Sequence, residues 1–315
     1  MSTISLPLRS DPNWYTPSDL PVEFRTYDSA LENLRLGSAG KVGVLDLDLA
    51  LVGSATRVIR QFQQLPLYLF HPLYIDAGWP GMAFIYTLQA GEGIVQGDRY
   101  RLDLHCAPGT AVHFTTQAAT KIYGMDDNFA TQVVNLTACA DAFVEYLPDP
   151  VLPFRNSRFY QRMLLTVDRD ARAIVGEVLL PGRVARGENH AYALYYTDTE
   201  ARTPDGTLLF ADRLKLSPRS ASPQSPGLLG SYNVLATLYV VTRSSPAGIL
   251  VERLHHCLAS QPEVLAGVSE LPNGSGVAVR LVAYTSAAMR AAMRLAWNEA
   301  RLALVDVPAP DLRKA

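Results

Sequence analysis

Leucine and aspartate alternate in VLDLDLAL (44–51), which sets Leu45, Leu47 and Leu49 on one face and Asp46 and Asp48 on the other. Successive side chains of a strand point to opposite faces, so this alternation predicts a half-buried strand. RYRLDLHC (99–106) sets Tyr100, Leu102, Leu104 and Cys106 against Arg101, Asp103 and His105. FYQRMLLTV (159–167) aligns Phe159, Met163, Leu165 and Val167, with Gln161 interrupting the apolar phase. AVHFTT (111–116) reads as a further strand. HAYALYYTD (190–198) predicts a shared face for Tyr192, Leu194 and Tyr196, and GTLLFADRLKL (206–216) one for Leu208, Phe210, Leu214 and Leu216. Breaks rich in Pro, Gly and Asp separate the runs, as in APGT (107–110), PDPVLP (148–153) and TPDGT (203–207). Short strands without long helices between them predict an all-β dominated fold, many short strands in stacked sheets, rather than βαβ units.

The pattern changes near the C-terminus. A polar Pro/Ser stretch, SPRSASPQSPG (217–227), begins an expected surface loop over 217–231. YNVLATLYVV (232–241) then reads as a buried strand, and AGILVERLHHCLAS (247–260) as a helix with Pro246 at its first turn. GVAVRLVAY (276–284) reads as another strand. Ser286 is the expected N-cap of a final helix with Met289, Met293, Ala296, Trp297, Ala300 and Leu304 at helical spacing, stopped by Pro308 and Pro310. The expectation is one domain over 1–315. It has an ill-defined N-terminal segment (1–40) and a strand–helix–strand–helix part over 232–305 that supplies a C-terminal pair of α-helices. No internal repeat recurs at a fixed period.

Hydrophobic residues make up 48% of the 315 and charged residues 18%, the balance of a chain that buries a core. A net charge of -2 gives no electrostatic footprint for nucleic acid. No apolar run approaches the ~18 residues of a membrane span, and Arg9 and Asp11 interrupt the place where a signal peptide needs its apolar stretch. Cys106, Cys139 and Cys257 are odd in number and far apart, which fits a reducing cytoplasm rather than a disulfide framework.

Familiar catalytic signatures are missing. GEGIVQGD (91–98) precedes strand alternation instead of a helix, so it reads as a glycine-rich turn and not a dinucleotide loop. His255, His256 and Cys257 are consecutive on a helix and diverge, so they do not form a metal cage. Lys121, in TTQAATKIYG (115–124), lies outside any P-loop. Glu145 and Asp149 are the two carboxylates that an acid/base reading would need. Asp98, Lys121, Glu145, Glu177, Arg183 and Glu188 all sit beside turns or strand ends next to apolar runs. Surface salt bridges explain such charges; so does a polar, water-filled interior or a charged docking face.

One string of motifs goes further. GIVQGD (93–98), the APG turn (107–109), TTQAATKIY (115–123), the glutamate of EYLPDP (145–150), GEVLLPGRVARGE (176–188) and LLFADRLKL (208–216) occur in this order. With the C-terminal layout, they resemble the urease accessory protein family called UreD, or UreH in some organisms, over roughly residues 40 to 305. Gln96 stands where that family commonly has glycine, Tyr146 where it has tryptophan, and PLYLFHPLY (66–74) follows the family's opening only loosely, as in a divergent member. The resemblance implies a non-enzymatic scaffold that binds the urease apoprotein and a helical, UreF-like accessory protein. Through that complex it would recruit a nickel-carrying, UreG-like GTPase. It implies neither nucleic acid nor membrane as partner and no tightly bound cofactor, with nickel only in transit through a polar tunnel.

On that basis the candidate tunnel or interface residues are Asp98, Thr116, Thr120, Lys121, Tyr123, Glu145, Glu177, Arg183 and Glu188. Asp98 and Glu177 would attract the passing cation, and Thr120 would line its path. Lys121 is expected to neutralise Asp98 or Glu145. Two other readings stand beside this one: a β-rich interaction module of another multiprotein complex, and a hydrolase using Glu145 and Asp149.

Overall fold

The structure, a computed structural model, describes residues 15–17, 19–28, 40–91, 93–244, 247–312 and 314. The N-terminal stretch with Arg9 and Asp11, and Pro246 at the helix start, lie outside the described residues. A single helical turn, α1 (Val22–Arg25), precedes strand β1 (Val42–Val52), which folds back as β2 (Ala55–Gln64) and the short β3 (Leu67–Leu69). From β4 (Ala83–Gln89) the chain alternates between two sheets. It places β5 (Arg99–Cys106), β8 (Ala130–Ala138), β11 (Arg158–Val167) and β13 (Leu194–Arg202) in the first. In the second it places β6 (Ala111–Thr116), β9 (Phe143–Tyr146) and β12 (Arg172–Leu179), with the short β7 (Thr120–Ile122) and β10 (Val151–Pro153) beside them. Strand β14 (Leu208–Leu216) returns antiparallel along β13; then come β15 (Val234–Val241), α2 (Ala247–Ala259), β16 (Val264–Glu270), β17 (Gly276–Ala283) and α3 (Ser286–Val305).

Neighbours among β5, β8, β11 and β13 pair in parallel, as do those among β4, β6, β9 and β12. Each coil therefore contributes one strand to each sheet, in roughly thirty residues, the repeat length of a solenoid. The coil is a structural repeat without a fixed sequence period: the first-sheet strands begin at Arg99, Ala130, Arg158 and Leu194, at unequal intervals.

Burial explains the two kinds of strand pattern. The first sheet buries its inner face, so β1, β5 and β11 alternate cleanly, and Leu45, Leu47, Leu104 and Leu165 meet the inner face of the second sheet. The second sheet is covered on both sides. VLATLYVV of β15 is buried throughout, because Leu250, Leu254 and Leu258 of α2 and Met289, Ala292 and Ala296 of α3 pack on its far side. The N-terminal turn lies on the outer face of the first sheet: Phe24 packs on Phe129, Tyr160 and Leu194, flanked by the ion pairs Asp19–Arg162 (2.6 Å) and Glu23–Lys215 (2.9 Å). Among the described residues, no helix is long and apolar enough to cross a membrane.

Several local expectations shift. Tyr192 precedes β13 and points between the sheets with Tyr195, while Leu194 and Tyr196 face the N-terminal turn. A bulge opposite Ala201 and Arg202 turns Leu209 and Phe210 inward together and leaves Leu208 exposed. The break at 148–153 contains β10, and an additional strand, β16, lies at the edge of the second sheet between α2 and β17. The cap of α3 is Thr285, one residue before Ser286; its Oγ1 accepts from Ala288 N at 3.1 Å.

A charged knot pins α3 to the second sheet. Arg301, fully buried, donates to Asp76 Oδ2 at 2.6 Å and lies 3.5 Å from both oxygens of Glu145. Glu145 also accepts from Trp297 Nε1 at 2.8 Å and from His113 Nδ1 at 2.6 Å. Removing one partner of such a group strands the others without water. Arg301→Met, which leaves two buried carboxylates without their cation, is expected to lower stability by about 3–5 kcal/mol, read as a lower urea midpoint at unchanged slope.

Candidate functional site

Inward-facing positions of parallel strands stack level with one another, and one level of this solenoid is polar. On the first sheet, Tyr100 lies opposite Gln132, Gln132 opposite Gln161, and Gln161 opposite Thr197. On the second, Thr87 lies opposite Thr116, Glu177 opposite Thr237, and Thr237 opposite Arg280. The row ends at the ion pair of Arg280 with Asp212, whose Oδ2 also accepts from Tyr239 OH at 2.5 Å. A cavity of about 280 Å³ opens between the sheets along this row. Thr87, Tyr100, Gln132, Tyr146, Gln161 and Glu177 line it, and Gly91, Thr120, Lys121 and Asp149 lie nearer its mouth.

Glu177 is one of the two carboxylates that line this cavity. It accepts from Tyr195 OH at 2.8 Å and from Gln161 Nε2, which is itself bonded through its Oε1 to Gln132 Nε2 at 3.1 Å. Burial pushes its pKa up to about 7; the two donors oppose the rise and Asp212 adds to it. Tyr100 and Tyr146 are likewise held above the ordinary tyrosine range by burial. The arrangement offers carboxylate, carboxamide and hydroxyl oxygens to water or a hard or borderline cation, without thiolate or imidazole.

Only some predicted residues meet here. Thr116 lines the cavity and holds Asp149, accepting from its backbone N at 2.8 Å. Thr120 and Lys121 lie on β7 at the mouth. A side chain at Gly93 would come within 2.6 Å of Lys121 O and 2.7 Å of the Tyr123 ring, so glycine lets the GIVQGD turn pair with β7.

Asp98 lies behind the wall. Only 1% exposed, it accepts from Lys41 N (2.8 Å), Val95 N (3.0 Å) and Tyr100 OH (3.2 Å). Burial raises its pKa against these donors. Tyr123, Arg183 and Glu188 form a separate surface cluster. Arg183 donates to Glu188 at 2.5 and 2.8 Å and stacks over Phe154, which Tyr123 meets edge-on. The Arg183 hydrogen bonds hold the Glu188 carboxyl below its usual range.

Two expectations are corrected. Lys121 neutralises neither Asp98 nor Glu145, both of which are saturated by other donors; its side chain is exposed and makes no ion pair among the described residues. Glu145 and Asp149 do not share a cleft. Glu145 points away from the cavity into the knot under α3, while Tyr146, the next residue, faces the cavity with Asp149, so the paired-carboxylate geometry of a hydrolase is not present. His255 and His256 are exposed on α2. Gln96, at a position where the resemblance favours glycine, accepts from Asp126 N at 3.2 Å. Gln132, Tyr195, Asp212 and Arg280 escaped the sequence reading. Gln132, Asp212 and Arg280 carry the signal that marked Gln161, a polar residue in the apolar phase of a strand, whereas Tyr195 falls outside the phase set by Tyr192, Leu194 and Tyr196.

The chain is similar to known proteins over most of its length. The family model described as UreD urease accessory protein matches residues 41–315. The chain is 43% identical over 288 residues to "Urease accessory protein UreD 2" of Streptomyces griseus, covering 91% of this chain and 98% of the relative. It is 35% identical to "Urease accessory protein UreD" of Cenarchaeum symbiosum (89% and 99% covered) and 32% identical to that of Haloarcula marismortui (90% and 94%).

A raised pKa means that the folded chain holds the Glu177 proton more tightly than the unfolded chain does. That stability is complete below pH 4.5 and is lost as pH rises through about 7. Glu177→Gln has no such loss. Relative to it, the native chain is expected to weaken from pH 4.5 to about 7 and then level off. The full gap is on the order of 3 kcal/mol, measured by urea unfolding across that range.

Proposed function

The chain belongs to the UreD urease accessory protein family, which supports a role in urease maturation, and from that premise we propose that it acts as a scaffold for nickel delivery to apo-urease. It binds the urease apoprotein and a helical accessory protein, and a nickel-carrying GTPase reaches the enzyme through that complex. The chain performs no bond-making chemistry; it holds its partners in place and offers the cation a hydrated way through.

The observation that carries this reading is the polar row inside the solenoid, with a cavity that Glu177 lines. Carboxylate, amide and hydroxyl oxygens exchange a borderline cation more readily than a thiolate–imidazole cage would. Glu177 and Asp149 are the two acids that line the cavity. Asp98 supports it from behind by holding the Tyr100 hydroxyl.

Co-expression with its own urease tests the role: omitting this chain is expected to lower both the nickel content and the activity of the urease, and no change in either would end the proposal. Within the complex, Glu177→Ala is expected to leave assembly intact in pull-downs while slowing nickel incorporation at limiting metal. Loss of assembly would move Glu177 from the passage to an interface.

A further inference from the structure

The segment after α3 runs back over the helix-facing side of the second sheet. Asp306 ends the helix at φ 54, Ala309 N donates to Asn298 Oδ1 at 3.0 Å, and Leu312 O accepts from Tyr86 OH at 3.0 Å. These contacts bring Lys314 to the ends of β4 and β6. There its Nζ donates to Thr115 Oγ1 at 2.6 Å, to Thr116 O at 2.8 Å and to Asp149 Oδ2 at 2.8 Å, with the Tyr86 ring 5.5 Å away. A hydroxyl, a carbonyl and a carboxylate oxygen converging on one point, beside an aromatic face, are the donors of a cation site. Thr116 and Asp149 are also part of the cavity wall, and Lys121 lies at the same mouth.

We propose that Thr115, Thr116 and Asp149 form a cation-binding site at the cavity mouth, which the chain fills with its own Lys314 ammonium, so that the C-terminal segment controls cation access. With Lys314 seated, the mouth pairs one carboxylate with two ammonium groups and repels a divalent ion. With Lys314 withdrawn, Asp149 Oδ2, Thr116 O and Thr115 Oγ1 are left without their cation. Lys314 and Asp149 each keep 23% of their side-chain exposure, so the pair meets water and can separate without unfolding the sheet. Lys314 follows the last helix and carries none of the core, so replacing it alters the mouth and leaves the solenoid packing intact.

This inference rests on the reading of the cavity as a cation passage, and calorimetric titration of the full chain with Ni²⁺ separates the two. Lys314→Gln is expected to bind Ni²⁺ roughly tenfold more tightly than the native chain, the scale of removing one nearby unit charge at a wet site. Lys314→Arg should keep the native affinity, and adding Asp149→Asn to Lys314→Gln should cancel the gain. Unchanged affinity in Lys314→Gln, with binding still weakened by Glu177→Gln, would overturn the gate and leave the passage standing. A gain that survives Asp149→Asn would overturn the site, and so would an equal gain in Lys314→Arg. Absence of measurable Ni²⁺ binding in Lys314→Gln would overturn both the site and the reading beneath it.

Discussion

Parallel register is the constraint from which the interior follows. When successive coils pair in parallel without slippage, residues at one level of each strand stand side by side. An isolated glutamine between two sheets would lack partners and cost free energy. Here Gln132 bonds to Gln161, and Gln161 to Glu177, so each polar group is satisfied by the group beside or facing it. One-residue slippage of a single strand would turn its member of the row out to the far face and open an unsatisfied gap.

The second sheet separates two electrostatic worlds across the thickness of one backbone. Glu145 and Tyr146 are consecutive, so alternation sends them to opposite faces. On the helix side, Glu145 is dry and clamped by Arg301, Trp297 and His113. On the other, Tyr146 borders a cavity. The first charge cluster anchors α3 and thereby sets where the C-terminal segment emerges; Asp149, on the other side, lines the cavity. The carboxylates of EYLPDP thus serve different purposes although they lie four positions apart.

Much of the architecture was legible. Clean alternation in β1, β5 and β11 marks a sheet with one buried face, and the apolar run of β15, broken only by Thr237, marks one buried on both. The edges were harder. In β16, Val264, Ala266 and Val268 keep an apolar phase but are only partly buried, with Leu265 exposed between them, and β2 carries arginines and glutamines on its exposed positions, so neither gives the strong alternation of an inner strand. The site was legible only in fragments. Gln161 stood out as an interruption, but its neighbours Gln132 and Thr197 are identified by register, which no single strand encodes. The meeting of Lys314 with Thr115 bridges 199 positions of a 315-residue chain and has no local signature. Lys121, conspicuous in the sequence, turns out to be exposed at the rim.

The ends of the two sheets carry a consequence for self-association. A parallel stack has no intrinsic stopping point: its last strand offers the same unpaired groups as every strand before it. In this chain the main path of each sheet finishes in an antiparallel strand at both ends, β2 and β14 in one, β3 and β16 in the other, while the short parallel strands β10 and β7 branch off β12. A second copy arriving end to end therefore finds reversed polarity rather than a continuation of the coil, and at β2 it also meets Arg57 and Arg60. The direction of these end strands interrupts the parallel coil along the main path of each sheet, so a copy added there would not extend it in kind.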